Sequence, residues 1–379
     1  MEAIPLGLYI HLPWCVRKCP YCDFNSHANE QPPESAYVDA LIDDLDESLP
    51  SVWGRPVQTI FFGGGTPSLF SPEAIERILS AVRARLRLSP SAEITLEANP
   101  GTVEQDRFKG FREAGINRLS LGIQSFSDTM LGRLGRIHDA HEALRAIEIA
   151  TTAGFDNINL DLMFGLPGQS LADALEDLKQ AMAFNPSHLS RYQLTIEPNT
   201  AFHHQPPQLP DDDRLWEMQQ QGGELLAQHG YTQYEVSAWS RPGMQCQHNR
   251  NYWEFGDYLG IGAGAHGKIT DQGSGEISRI RKHRRPEDFM ARRGGSYISS
   301  LETLQPADLP FEFMLNALRL TQGVAAELFT QRTGLGIEAI TASLNELRTA
   351  GLLTDSTSQL VATSRGQQFL NNVISQFLP

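Results

Sequence analysis

An alternation of short apolar runs with longer amphipathic stretches is the feature that most restricts the fold of this chain. β-rich runs at 6–12, 59–62, 93–98, 118–124, 157–163, 188–195 and 232–238 are separated by stretches of helical period at 37–49, 72–86, 103–114, 141–153, 171–183 and 213–229. Helix punctuation is readable as well. Ser71 before Pro72 and Glu73 supplies an N-cap, a proline in the first turn and an acidic start, while Gly115 and Gly154 stand where helices should stop. Repeated βα units need right-handed crossovers and build parallel strands, either as an open doubly wound sheet or as a (β/α) barrel. Gly63 to Thr66, Glu97, Gln124 and Asp161 fall at or near the C-terminal ends of different strands. A barrel gathers those ends around one mouth, whereas an open sheet spreads them. The expected fold is therefore α/β, a partial (β/α) barrel over residues 1–240.

After residue 240 the pattern changes twice. Residues 241–309 form a Gly-rich, aromatic and basic extension that includes Arg279, Arg281, Lys282, Arg284 and Arg285, a run read as a solvated face or as a partner for anionic groups. Residues 310–379 resemble a winged-helix-like α+β domain, with helical segments at 311–320, 325–333, 337–350 and 364–377 and a hairpin at 353–361. That segment carries four Arg and no Lys against four Glu and one Asp, which is not the basic face a DNA-binding domain needs. The whole chain has 31 Lys plus Arg against 45 Asp plus Glu, a formal charge of -14 that repels phosphate backbones. Nucleic acid is not an expected partner. No apolar stretch is long enough to span a bilayer, and the start Met1-Glu2-Ala3-Ile4-Pro5 lacks the basic and apolar regions of a secretory signal, so a cytoplasmic location is expected.

Three of the four cysteines fall in one window, Cys15-x3-Cys19-x2-Cys22, just after the first strand. Such bunching without an export signal suits a metal better than a disulfide framework. Three thiolates can hold three corners of a [4Fe-4S] cubane and leave the remaining iron open to a small chelating molecule. The cysteines alone leave other readings standing: a structural zinc completed by His11 or His27, or buried structural thiols. Cys246, isolated, reads as a small buried hydrophobe.

In this window and in four further segments the chain resembles the radical S-adenosylmethionine (SAM) superfamily, in the branch that contains the oxygen-independent coproporphyrinogen III oxidases and the HemW-type heme chaperones. The further segments are Phe61-Phe-Gly-Gly-Gly-Thr-Pro67, Glu97-Ala-Asn-Pro100, Gly122-Ile-Gln-Ser125 and Asn159-Leu-Asp-Leu-Met-Phe-Gly-Leu-Pro167. The resemblance implies a barrel of radical SAM type, a [4Fe-4S] cluster on Cys15, Cys19 and Cys22, and SAM at the open iron. It also implies SAM contacts from Tyr9, Tyr21, Gly64, Gly65, Thr66, Glu97, Gln124, Arg136 and Asp161. SAM presents an ammonium, a carboxylate, a ribose diol and an adenine. Arg136, the one cation in that set, suits the carboxylate through a bidentate fork. Glu97 and Asp161 suit the ammonium or the ribose hydroxyls, without a division of duties between them.

Two departures separate the chain from the oxidases, which carry a further cysteine two residues after the third ligand and an N-terminal extension. Here that position is Phe24, and only eight residues precede Tyr9. Both departures speak against coproporphyrinogen decarboxylation and match the heme chaperones. The pattern His248-Asn249-x-x-Tyr252-Trp253 is the one associated with heme in that family, so the resemblance implies heme as a cofactor with His248, or alternatively Cys246, at its iron. By residue types alone, the same segment also reads as a buried aromatic turn with a hydrogen-bonded histidine. The implied partners are heme and heme-accepting respiratory proteins, with peripheral membrane contact where those acceptors sit. Whether SAM is cleaved in the working cycle stays open at this stage.

Overall fold

Strand β1 (Leu6–Leu12) is apolar along nearly its whole length and buried on both faces, as the middle strand of a parallel sheet must be. The computed structural model describes residues 4–102 and 105–379 and places β1 inside a twelve-stranded sheet. The other strands are β2 (Pro56–Gly64), β3 (Arg87–Ala98), β4 (Arg118–Gln124), β5 (Ile158–Phe164), β6 (His188–Gln193), β7 (Thr232–Glu235), β8 (Ala238–Ser240), β9 (Asp257–Ile261), β10 (His266–Thr270), β11 (Ile277–Lys282) and β12 (Ile298–Thr303). Their order is β12-β11-β10-β9-β1-β2-β3-β4-β5-β6-β8-β7, with β12 and β7 at the two ends. From β9 through β1 to β6 every neighbouring pair is parallel, and the strands beyond pair antiparallel. The parallel part is the partial (β/α) barrel.

The crossover helices lie close to where periodicity puts them: Glu34–Ser48, Pro72–Arg85, Gln105–Ala114, Ala140–Thr152, Leu171–Ala183 and Asp212–Gln228. Val103, the expected first residue of the third, lies outside the described residues. Ser71 caps Pro72–Arg85 by accepting from the Ala74 amide, and Gly115 and Gly154 end their helices at positive φ. Aliphatic faces of these helices join the strands in one buried cluster running from Leu6 to Tyr297.

One expectation fails instructively. The run at 232–238 is not a seventh parallel strand but the hairpin β7–β8, because two residues, Val236 and Ser237, connect the strands. So short a link allows only antiparallel pairing. The seventh parallel strand is β9, which lies on the other side of β1. Its seat is electrostatic as well as apolar: fully buried Asp257 meets Arg55 Nη1 and Lys268 Nζ, each at 2.8 Å. Burial pushes the Asp257 carboxyl up, but Lys268 and Arg55 more than offset it, and the net shift is downward. Lys282 on β11 is buried against Asp44 of the first crossover helix, and Arg279 pairs with Glu312. Of the basic run, Arg279 and Lys282 are spent inside the fold, while Arg281, Arg284 and Arg285 are exposed.

The C-terminal segment has a winged-helix-like build. Helices Leu309–Ala317, Ala326–Thr333 and Thr341–Thr349 are joined by a small ladder of Val324–Ala325 on Gln359–Leu360, with a further bridge from Leu353 to Ala362. The last expected helix is broken at Phe369 into Ser364–Gln368 and Leu370–Ser375. Phe313 stacks edge-on against both Phe329 and Phe255, the latter from the segment preceding β9. Tyr234, Ala238 and Ile277 of the sheet complete the same buried cluster. Each buried aromatic of this kind stabilises by about 1.5–3 kcal/mol. Among the described residues no helix is long and apolar enough to cross a membrane.

Candidate cluster and cofactor site

The cysteine loop leaves β1 at Leu12 and is pinned at both ends by backbone. Trp14 and Cys15 form a parallel ladder with His27 and Ala28, and the Cys22 amide donates to the Cys19 carbonyl at 3.1 Å. The glycine-rich end of β2 clamps the loop from the side. The Gly65 amide donates to Leu12 O and the Thr66 amide to Trp14 O, at 2.8 and 2.7 Å. A Cβ at Gly65 would fall 2.4 Å from the Trp14 carbonyl oxygen, so this approach requires glycine.

The three thiols are partly exposed and line one cavity of about 1310 Å³ at the C-terminal ends of the strands. Tyr9, Tyr21, Gly64, Gly65, Thr66, Glu97, Gln124, Arg136, Asp161 and His248 line the same cavity. Every residue singled out for the cluster, SAM or heme thus borders one space, although the segments that supply them are far apart in sequence. Among the described residues no three His, Cys, Asp or Glu side chains converge tightly enough to hold a single metal ion. His11 is also committed, through Nδ1 to the Tyr9 hydroxyl and through Nε2 to Asn25 O.

Arg136 sends Nη2 to the Gly122 carbonyl at 2.6 Å and Nη1 toward Cys19 Sγ at 3.8 Å, while its buried Nε has no partner. Burial pulls this guanidinium down, but the neighbouring Tyr21 and Cys19 raise it overall. An orphaned donor beside the thiols fits a carboxylate-bearing ligand. Glu97 accepts from the Gly64 amide at 3.2 Å. Desolvation, and then the Asp161 charge, push its carboxyl up to about 8 against that hydrogen bond. Asp161 is more fully committed, to Ser120 at 3.0 Å and Asn159 at 2.8 Å. Its carboxyl is raised by burial.

Gln124 has φ 69°, the left-handed region a side chain rarely occupies, next to a register shift between β4 and β5. The turn is held by buried Asp177, which accepts from Ser125 Oγ and from the Phe126 amide, the latter at 2.7 Å. Strain kept in place by such anchors concentrates at functional sites. Sequence reading passed over Arg118, a buried cation facing this cavity from the start of β4. Its signal was a charge opening an otherwise apolar strand.

His248 is 1% exposed. Its Nδ1 pairs with Thr59 Oγ1 at 2.8 Å and its Nε2 with the Tyr252 hydroxyl at 2.9 Å, and the ring stacks on Phe61. Burial, with Arg118 second, lowers its pKa to about 3, so the imidazole is neutral. In this structure both ring nitrogens are occupied by protein. Cys246 is fully buried, its thiol donating to Glu93 at 3.5 Å. Phe24, where the oxidases carry a cysteine, is 63% exposed beside the thiols.

The radical SAM superfamily model matches residues 9–181, and the HemN C-terminal domain model matches residues 304–369. The chain is 53% identical to the heme chaperone HemW of Escherichia coli K12 over 375 residues, covering 99% of this chain and 98% of that protein. It belongs to the HemW family. The HemW of Haemophilus influenzae is 48% identical over 379 residues, again across 99% of this chain and 98% of its relative. The fold of this HemW-type chain matches that of the E. coli coproporphyrinogen III oxidase HemN, described as a radical SAM enzyme, with a TM-score of 0.83 and 24% identity. That match covers 99% of this chain and 90% of the oxidase. The family implies a [4Fe-4S] cluster and SAM, and the residues around the thiols suit both: partly exposed sulfurs on a clamped loop, and an unsatisfied guanidinium nitrogen beside them.

Proposed function

We propose that this chain is a heme chaperone of radical SAM type that binds heme and passes it to respiratory acceptor proteins, some of them at membranes. Cys15, Cys19 and Cys22 would hold a [4Fe-4S] cluster, with SAM on the iron they leave open. The observation that carries this reading is the single cavity on which the thiols, the glycine clamp and Arg136 converge. When bound, cluster and SAM together supply one-electron chemistry. The chain's own residues do the positioning. The clamp from Gly65 and Thr66 fixes the loop, Arg136 directs a donor at a carboxylate, and Glu97 or Asp161 accepts from ammonium or ribose hydroxyls. Tyr9 and Tyr21 wall the space against water; burial raises both phenols far above their usual range and keeps them neutral donors.

The test is anaerobic reconstitution of the full chain with iron and sulfide, followed by paramagnetic resonance with and without SAM. A [4Fe-4S] signal that changes on adding SAM is the expected result. A chain that acquires no cluster, or one blind to SAM, overturns the cofactor reading. Transfer of bound heme to an apo-protein tests the chaperone step. Robust conversion of coproporphyrinogen to protoporphyrinogen would favour an oxidase instead, a reading that exposed Phe24 at the extra-cysteine position opposes.

A further inference from the structure

A second cavity, of about 840 Å³, adjoins the first and shares Tyr9, Phe24, Gly64, Glu97 and Tyr252 with it. Its volume lies in the range of about 300–1,000 Å³ usual for small-ligand sites. It is built on one face of the antiparallel extension. His266 on β10 stands opposite Arg281 on β11, and Lys268 stands opposite Arg279 on one side and Tyr258 on the other. Side chains two apart share a face, so these five point the same way.

Their satisfaction differs sharply. Lys268 is spent on Asp257, and Arg279 on the Tyr258 hydroxyl and Glu312. Among the described residues, the His266 imidazole and the Arg281 guanidinium have no hydrogen-bond or ion-pair partner, although both line the cavity. Arg284 lies beside them and uses Nε on Asn25. Partial burial and then the charges of Arg281, Arg279 and Arg284 lower the His266 pKa, which keeps the ring in its neutral, ligating form. The same cavity also has an aromatic side: Tyr258 meets Tyr252 edge-on at 4.5 Å, with Trp253 next to Tyr252. The ligand that suits this set has a flat aromatic face, an atom that takes an imidazole, and anionic arms.

We infer that this cavity seats the iron porphyrin, with His266 as axial ligand, Arg281 and Arg284 on the propionates, and Tyr252, Tyr258 and Trp253 along the macrocycle. The inference rests on the heme-chaperone reading and deepens it. It gives the segment from His248 to Trp253 a different part from the one its sequence implies: the aromatics wall the cavity, and buried His248 orients Tyr252 through their 2.9 Å contact. The shared wall would set the porphyrin beside the cluster cavity.

The test is a hemin titration of the full chain read at the Soret band, with H266A, H266G and R281Q variants. H266A should bind at least ~10-fold more weakly, the scale that loss of even an outer partner costs a metal site. H266G should regain the parent spectrum on adding imidazole, which a merely structural histidine would not do. R281Q should weaken hemin by roughly 10-fold, as loss of a charge-assisted pair does, and leave binding of the hemin dimethyl ester unchanged. H266A titrating like the parent, or H266G failing to respond to imidazole, overturns the assignment while hemin uptake by the parent keeps the chaperone reading. A parent chain that takes up no hemin overturns both.

Discussion

Arg136 stands with Nη1 3.8 Å from Cys19 Sγ and Nη2 2.6 Å from the carbonyl of Gly122, which ties the cysteine loop to the end of β4 through one side chain. Its backbone is held in turn by Arg17, three residues after Trp14 on the same loop, whose Nη2 donates to the Arg136 carbonyl at 3.0 Å. The loop that carries the thiols and the residue suited to a carboxylate are thus one mechanical unit.

That coupling separates two functions. R136A should still assemble a cluster, since the three thiols remain, but should bind SAM about 10–100-fold more weakly, the worth of a charged hydrogen bond at about 1.5–3 kcal/mol. SAM titration followed by paramagnetic resonance measures both. Loss of the cluster itself in R136A would mean the guanidinium is needed to keep the loop in place.

Glu97 makes a pH prediction whose sign follows from its raised pKa of about 8 against about 4.5 in the unfolded chain. Between those values the unfolded state gives up its proton first, so the folded state loses stability as pH rises through the window. E97Q removes that loss. In urea unfolding without SAM, E97Q and parent should differ least near pH 4.5, and E97Q should gain on the parent up to pH 8.

His248 works in the opposite direction. Its folded pKa of about 3 lies below the usual value of 6.5, so the stability tied to the neutral ring disappears as pH falls from about 6.5 toward 3. H248N should be destabilised near neutral pH by roughly 2–4 kcal/mol, through lost packing and two unmet polar partners. It should then lose less on acidification than the parent. Denaturant midpoints at several pH values decide this.

Lys282 and Asp44 bind the extension to the first crossover helix, and Asp44 also accepts from the Gly262 amide at 2.9 Å. K282M strands a buried carboxylate and should cost ~3–5 kcal/mol. If the transition stays single, the extension and barrel unfold together; two transitions would show that 241–309 unfolds on its own.

The parallel strands, their crossover helices and the cysteine loop were legible because each depends on local pattern: burial on both faces of β1, the Ser71 cap, three thiols at close spacing. β7–β8 was misread because apolar alternation looks the same in a parallel strand and in a hairpin; only the two-residue link at Val236 and Ser237 tells them apart. The place of β9 beside β1 depends on Asp257 finding Arg55, some two hundred residues earlier, which no window of sequence contains.

Sequence by itself determined the residue types of the site and their order along the strands, since those follow from spacing and side-chain chemistry. Tertiary structure alone decided which polar groups are spent and which are free. His248 and His266 are both histidines near aromatics, yet folding buries the first between Thr59 and Tyr252 and leaves the second unpaired in a cavity. A side chain's availability is set by the partners that distant segments bring to it, and hydrogen bonding and burial are properties of the packed chain.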